Sequence, residues 1–177
     1  LEKIIEPTIK GLQNLNTNFI GFLYVGLMIV NGEPFLIEYN VRMGDPECQT
    51  ILPRLETDFY EIIYNCVNKN LKSINIDWSK NRSLCIVLCS KGYPEKFTNN
   101  LEIMNLNQIS LENNEFIFHA GTKLDKTKIF SNGGRVLNFV VISEEFKESR
   151  FRAIEIIKKI NWTNGFFRKD IGFKVID

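Results

Sequence analysis

The stretch FIGFLYVGLMIVNGEPFLIEYNV, residues 19 to 41, constrains the fold of this chain more than any other. Two runs rich in aromatic and β-branched residues flank Asn31-Gly32. Such a pair is the strongest short-range hairpin signal, because both residues tolerate the positive φ of a tight turn. The pattern predicts a strand over 19–30 and a return strand over 33–41. Successive side chains on a strand alternate faces. Ile37, Tyr39 and Val41 are therefore expected on a core face, and Glu38, Asn40 and Arg42 on the other, stepping about 6.6 Å each time.

That second face carries chemistry. A carboxylate and a carboxamide oxygen at i and i+2 can reach one cation. Magnesium prefers hard oxygen ligands and takes only one or two from the protein beside substrate phosphates. Arg42, one step further, offers a planar fork of donors to the same phosphates. A cation and an arginine aimed at a transferring phosphoryl group stabilise its charge. A solvated sheet face would explain the alternation alone; the loop that follows adds to it. Gly44 permits a sharp turn, and Asp45 and Glu47 flank Pro46, so two more carboxylates stand ready to hold an amine or tune a metal.

Around the hairpin, Ile5, Ile9 and Leu12 predict a helix over 3–15 with Pro7 in its first turn or kinking it. Residues 43–54 hold two prolines and no clear period, and read as a loop. Asp58 and Glu61 fit a capping box, opening a helix whose inward face is Leu55, Phe59, Ile62, Ile63, Cys66 and Val67. The polar stretch 68–81 suggests a boundary near 78, giving units 1–77 and 78–177. In the second, strands are expected at 83–90, 101–105, 115–119 and 135–142, with SNGG (131–134) as another hairpin turn. A helix over 144–160 buries Phe146, Ala153, Ile157 and Ile160, with acidic residues in its first turn and Lys158 and Lys159 in its last, as the dipole prefers. The tail reads as mostly irregular. The fold class is α+β: an antiparallel sheet with helices, followed by a small α+β, barrel-like unit.

Composition closes off several functions. The net charge of +1 gives no general field toward nucleic acid or an anionic membrane. No apolar run approaches the roughly 18 residues of a membrane span. Cys48, Cys66, Cys85 and Cys89 include no Cys-x-x-Cys pair, and there is a single histidine, so a zinc cluster is not expected. On one strand, Cys85 and Cys89 would stand about 13 Å apart, too far for a disulfide. Reduced thiols suit the cytoplasm. The chain opens on Leu1 as if inside an element, which suggests a piece of a longer protein.

Several motifs share an order with one family. GFLYVGLMIVNGEPFLIEYNVRMGDPECQTILPRLETD (21–58), KGYPEKF (91–97), FHAGTKL (118–124), NGGRVL (132–137) and FRKDIG (167–172) together resemble the phosphoribosylamine–glycine ligase, or glycinamide ribonucleotide synthetase, family of the ATP-grasp superfamily. The resemblance implies ATP-dependent ligation of glycine to 5-phosphoribosylamine through a glycyl phosphate, yielding glycinamide ribonucleotide, ADP and phosphate in purine synthesis. It implies Mg2+ or Mn2+ held by Glu38 and Asn40. Arg42 would steady the phosphoryl group, and Asp45, with Glu47, would lie near glycine and its amine. Gly133, Gly134 and Arg135 read first as a turn, whose backbone N–H groups could also meet a substrate anion. Arg168 and Lys169 would clamp the 5′-phosphate of phosphoribosylamine.

The partners implied are these small molecules, with no nucleic acid and no membrane, and the N-terminal half of the enzyme, which this chain lacks. Family chains are more than twice as long, so this one alone supplies part of an active site and is expected to be inactive by itself. Many ATP-grasp enzymes carry a further acidic metal ligand on the preceding strand; YVGLMIV has none, so two protein ligands are expected. His119 is expected as a hydrogen-bonded structural residue, or near the ribose phosphate. The alternatives are another ATP-grasp ligase or carboxylase of purine metabolism, and a non-catalytic docking module.

Overall fold

The structure, a computed structural model, describes residues 1–176. Residues 1–48 with 55–77 form one compact unit, and 49–54 with the chain from Trp78 onward form another.

The first unit is built on the hairpin. Strand β1 (Tyr24–Val30) pairs antiparallel with β2 (Glu33–Asn40). Asn31 and Gly32 both take positive φ, 51° and 81°, as a two-residue turn matched to strand twist requires. β1 begins at Tyr24 rather than at 19, after Gly21 at φ 139°. A bulge between Gly26 and Leu27 makes Leu36 oppose Leu27 but Glu38 oppose Gly26, leaving Ile37 as the extra residue. The expected core face is not there. Ile37 is 62% exposed and Val41 75%, and on β1 the neighbours Met28 and Ile29 are both more than half exposed. Adjacent strand residues face opposite ways, so the hairpin is bare and apolar on both sides.

Helix α1 (Ile5–Asn14) accommodates Pro7 in its first turn, where a missing N–H breaks no helical bond. Residues 43–54 are not a plain loop. They hold a short helix, α2 (Glu47–Ile51), and a 3-10 turn at Leu52–Arg54. The Cys48 N–H returns to Gly44 O at 2.9 Å and closes the entry to that turn. Helix α3 (Phe59–Val67) is capped as expected, the Asp58 carboxylate accepting from the N–H groups of Tyr60 and Glu61 at 2.7 and 3.4 Å. Ile62 is the one fully buried residue of its inward stripe; Val67 lies largely in solvent, and Phe59, 39% exposed, stacks on Phe22.

The second unit has a proper core. Its strands β3 (Arg82–Ser90), β4 (Glu115–His119), β7 (Arg135–Ser143) and β8 (Gly165–Phe166) form an antiparallel sheet in the order β4-β7-β3-β8. The register sets Leu84 opposite Val141, Ile86 opposite Phe139 and Leu88 opposite Leu137. All six are buried in one cluster with Ala153, Ile156, Ile157 and Ile160 of helix α4 (Phe146–Ile160). Each such side chain contributes about 1.5–3 kcal/mol. One charge enters the core: Glu115 Oε1 accepts from Arg152 Nε of α4 at 2.7 Å, while Glu115 Oε2 accepts from the Glu112 N–H. Lys158 and Lys159 occupy the last turn of α4, favourably for its dipole.

Two expectations fail here and one hairpin arises unforeseen, each for local reasons. Residues 101–105 make one bridge, Glu102 to Phe130, and then a 3-10 turn, because Asn100 and Asn105 take positive φ and break the extended run. Strands β5 (Thr122–Asp125) and β6 (Lys128–Ser131) form a hairpin whose turn carries no glycine; Lys126 itself takes φ 54°. SNGG does not join paired strands. It leads from β6 to β7, which pair with different partners. The tail is irregular apart from β8 and a 3-10 turn at Phe173–Val175.

Candidate functional site

The structure brings Glu38 and Asn40 together in the first unit, while in the second the expected residues stay in two separate segments, 133–135 and 168–169. In the first, the end of β2 brings Glu38 and Asn40 together: Asn40 Nδ2 donates to Glu38 Oε1 at 3.0 Å. The position opposite Glu38 is Gly26, where a Cβ would lie 3.0 Å from Glu38 Cγ. The Glu38 stem therefore crosses the neighbouring strand at a residue with no side chain. Arg42 does not extend this row. β2 ends at Asn40, and the Arg42 guanidinium donates to Met43 O at 2.9 Å.

The loop after the strand folds back on the same pair of strands. Tyr24, which opposes Asn40, donates its phenol to Glu47 Oε1 at 3.3 Å. The Glu47 charge first, then burial, then Glu38 push the Tyr24 phenol above its ordinary value, so it stays a donor. Gly44 is buried, and a Cβ there would run into the Glu47 carboxylate and come within 2.9 Å of the Tyr24 ring. Asp45 precedes a cis Pro46 at the head of this turn. Cys48 Sγ lies 3.5 Å from Met43 Sδ, and burial, with Asp45 second, pushes its thiol up, which disfavours the reactive thiolate.

Among the described residues, no three His, Cys, Asp or Glu side chains gather as a metal-holding group. The donors at hand are the mixed carboxylate–amide pair Glu38 and Asn40.

In the second unit, Gly133, Gly134 and Arg135 enter β7 beside Gly121. The Gly121 N–H donates to Arg135 O at 2.8 Å, and the Asn132 N–H to Gly121 O at 2.7 Å. A Cβ on Gly121 would sit 2.7 Å from Gly133 Cα, so the approach of the two backbones demands glycine. His119 Nδ1 lies 2.9 Å from Thr122 Oγ1 at the edge of this crossing. Arg168 and Lys169 are treated differently by the fold. Arg168 closes a two-pronged pair on Asp170, Nε to Oδ1 at 3.1 Å and Nη2 to Oδ2 at 2.7 Å. That pair raises the guanidinium and lowers the Asp170 carboxyl. Lys169 lines a cavity of about 380 Å³ with Lys158, Trp162 and Phe167.

Sequence reasoning missed Tyr24. The Asn-Gly turn alone would pair it with Tyr39; only the bulge brings it opposite Asn40. No pattern in the chain announces that bulge beyond Gly26 itself.

A mixed fold of helices and antiparallel sheet, with a carboxylate–amide strand and a glycine turn, defines the class. The family model for phosphoribosylglycinamide synthetase, C domain, matches residues 83–174, and that for its ATP-grasp (A) domain matches residues 1–48. The chain belongs to the phosphoribosylglycinamide synthetase family.

Among curated relatives, the phosphoribosylamine–glycine ligase of Fusobacterium nucleatum is 40% identical over 97% of this chain, and that of Agrobacterium fabrum 41% over 99%. The chloroplastic enzyme of Arabidopsis thaliana is 39% identical over 99%. This chain spans 41% of each bacterial relative's length and 34% of the plant one's. The crystal structure of phosphoribosylamine–glycine ligase from Thermotoga maritima superposes with a TM-score of 0.80 at 30% identity, over 97% of this chain and 42% of that one.

Proposed function

We propose that this chain is the later part of an ATP-dependent ligase that joins glycine to 5-phosphoribosylamine, giving glycinamide ribonucleotide, ADP and phosphate. In this reading residues 1–77 complete an ATP-grasp domain and residues 78–177 are the C-terminal ligase domain. The remaining part of the enzyme, which supplies the nucleotide grip, is its necessary partner. The names of relatives covering nearly all of this chain support the activity, and its free cysteines suit a reducing, cytoplasmic setting.

The observation that carries the site is the 3.0 Å contact between Asn40 Nδ2 and Glu38 Oε1 at the strand end. It sets a carboxylate beside an amide; the amide here turns its N–H to Glu38, and flipping it presents Oδ1 as the second hard oxygen that a divalent cation with few protein ligands requires. Glu38 and Asn40 would hold Mg2+ or Mn2+, which when bound supplies positive charge against ATP phosphates. Arg42, released from Met43 O, faces the transferred phosphoryl group. Glu47, oriented by Tyr24, and Asp45 bind the glycine amine and so place its carboxylate for phosphorylation. Transfer breaks the γ-phosphoryl bond to ADP and forms the acyl phosphate. The amine of phosphoribosylamine then attacks the acyl carbon, phosphate leaves, and the amine gives up a proton. The glycine turn at 133–135 and Arg168 with Lys169 hold the ribose phosphate.

Glycine-dependent ADP release, measured with phosphoribosylamine, magnesium and ATP on this chain joined to the rest of its polypeptide, tests the reading. Glu38→Gln should lower turnover about 100-fold or more with little change in melting temperature, because Glu38 is exposed. A loss of activity that merely tracks a loss of stability would remove Glu38 from the metal site.

A further inference from the structure

The turn Lys91-Gly92-Tyr93-Pro94 has no part in the mechanism above, yet it meets the glycine turn at one buried residue. Ser90, at the end of β3, is 1% exposed. Its Oγ donates to Gly133 O at 2.8 Å and its N–H donates to Gly134 O at 2.8 Å. A trans peptide sets C=O and N–H on opposite sides. Two successive carbonyls drawn to Ser90 therefore turn the N–H groups that follow them away from β3. Those N–H groups belong to Gly134 and Arg135, and the Gly134 N–H has no backbone acceptor among the described residues.

Tyr93 supports the same turn from another side. The position a Cβ on Gly134 would take is filled by the Tyr93 ring. That ring packs edge-on against Phe97, centroids 6.0 Å apart at 62°, and the Tyr93 N–H closes onto Ser90 O at 3.1 Å. Gly92, at φ 99°, lies where a Cβ would strike the Lys96 carbonyl, so the turn needs glycine to bring the ring round. The same residues reach the other candidate segment. Ser90 pairs with Gly165, and the Lys91 N–H donates to Asn164 O at 2.8 Å, just ahead of Arg168 and Lys169.

We infer that Ser90 and Tyr93 are positioning residues for a phosphate monoester. Ser90 orients the Gly133–Gly134 and Gly134–Arg135 peptides so that the Gly134 and Arg135 N–H groups face the anion, and Tyr93 keeps the turn from relaxing. This rests on the reading of 133–135 as a substrate-phosphate turn.

The test is an amide NMR titration of this chain with ribose 5-phosphate. In the wild-type chain the Gly134 and Arg135 amides should shift saturably. Ser90→Ala should weaken binding about tenfold, Tyr93→Ala several-fold, and Ser90→Thr, which keeps the donor, should restore it. The β7 resonances of Val136–Ile142 should stay in place throughout. If Ser90→Ala does not fold, Tyr93→Ala carries the test alone, since Tyr93 is only half-buried. Wild-type affinity in the folded variants would overturn the positioning role and leave the turn as the phosphate site. No saturable shift in the wild-type chain would overturn the site and the positioning role together.

Discussion

The hairpin β1–β2 and the β3–β7 pair read alike as sequence, yet YVGLMIV is bare while RVLNFVVIS is sealed. Leu137, Phe139 and Val141 have no exposed surface, whereas Met28, Ile29 and Phe35 each show more than half of theirs. The difference lies in what covers them. β7 is flanked by β3 and β4 and roofed by α4, all supplied by the same unit. Among the described residues, the hairpin has two strands and no layer of comparable extent in its own unit. An isolated two-stranded hairpin is marginal in water, and an apolar patch of this kind marks a surface meant for another polypeptide. In relatives more than twice as long, there is ample further chain to provide one. In the proposed reading, the metal-holding strand end and the bare apolar faces belong to one hairpin that further chain would cover.

The comparison is most sharply broken by truncating one aromatic on each side. Phe139→Ala should cost about 3–5 kcal/mol in urea denaturation of this chain, the usual range for a buried phenylalanine. Phe35→Ala should stay within about 0.5 kcal/mol, as a surface change does. Similar costs at the two sites would mean that the hairpin is packed after all.

A smaller effect probes the one charge admitted to the covered sheet. Arg152→Met leaves the Glu115 carboxylate, whose side chain is 1% exposed, with only the Glu112 N–H as a recorded donor. Stability should fall by about 1–3 kcal/mol, the cost of an under-satisfied buried group. Glu112→Ala, which removes the exposed arm of the same pair, should change little. Equal effects of the two would show that the ion pair is solvated.

The smallest effect concerns the Arg168–Asp170 pair. Its carboxyl should titrate below its ordinary 3.8, chiefly because of the hydrogen bond from Arg168. The sign follows: its contribution is present above the ordinary value and is lost as pH falls through the lowered one. Carbon-detected NMR titration of Asp170 checks this, and Arg168→Ala should bring the midpoint back up. An unmoved midpoint would detach the two residues and return Arg168 to the phosphate clamp unencumbered.

How much of this was legible in the chain depended on whether the signal was local. The Asn-Gly turn, the Asp58 cap and the period of α4 are set by neighbours in sequence, and each is where the residues place it. Glu38 and Asn40 share a face because strand alternation is geometric. What failed needed information from elsewhere. The alternation of Ile37, Tyr39 and Val41 names a face but cannot say what lies on it. The bulge that brings Tyr24 opposite Asn40 adds one residue with no turn chemistry to mark it. Arg42 left the row because the strand stopped two residues short of it. The β5–β6 hairpin was invisible because Lys126 pays the positive-φ cost that glycine or asparagine usually avoids.

Amide hydrogen exchange on β1 and β2 tests the central claim most directly. It would be measured on this chain alone and on the chain joined to the rest of its polypeptide. Alone, the amides of Leu27–Val30 should exchange near the rate of a fraying element, while those of Val136–Ile142 approach the global limit. In the longer polypeptide the hairpin amides should slow by roughly 100-fold or more, with β7 little changed. Hairpin amides that are already as protected as β7 in this chain alone would contradict the account.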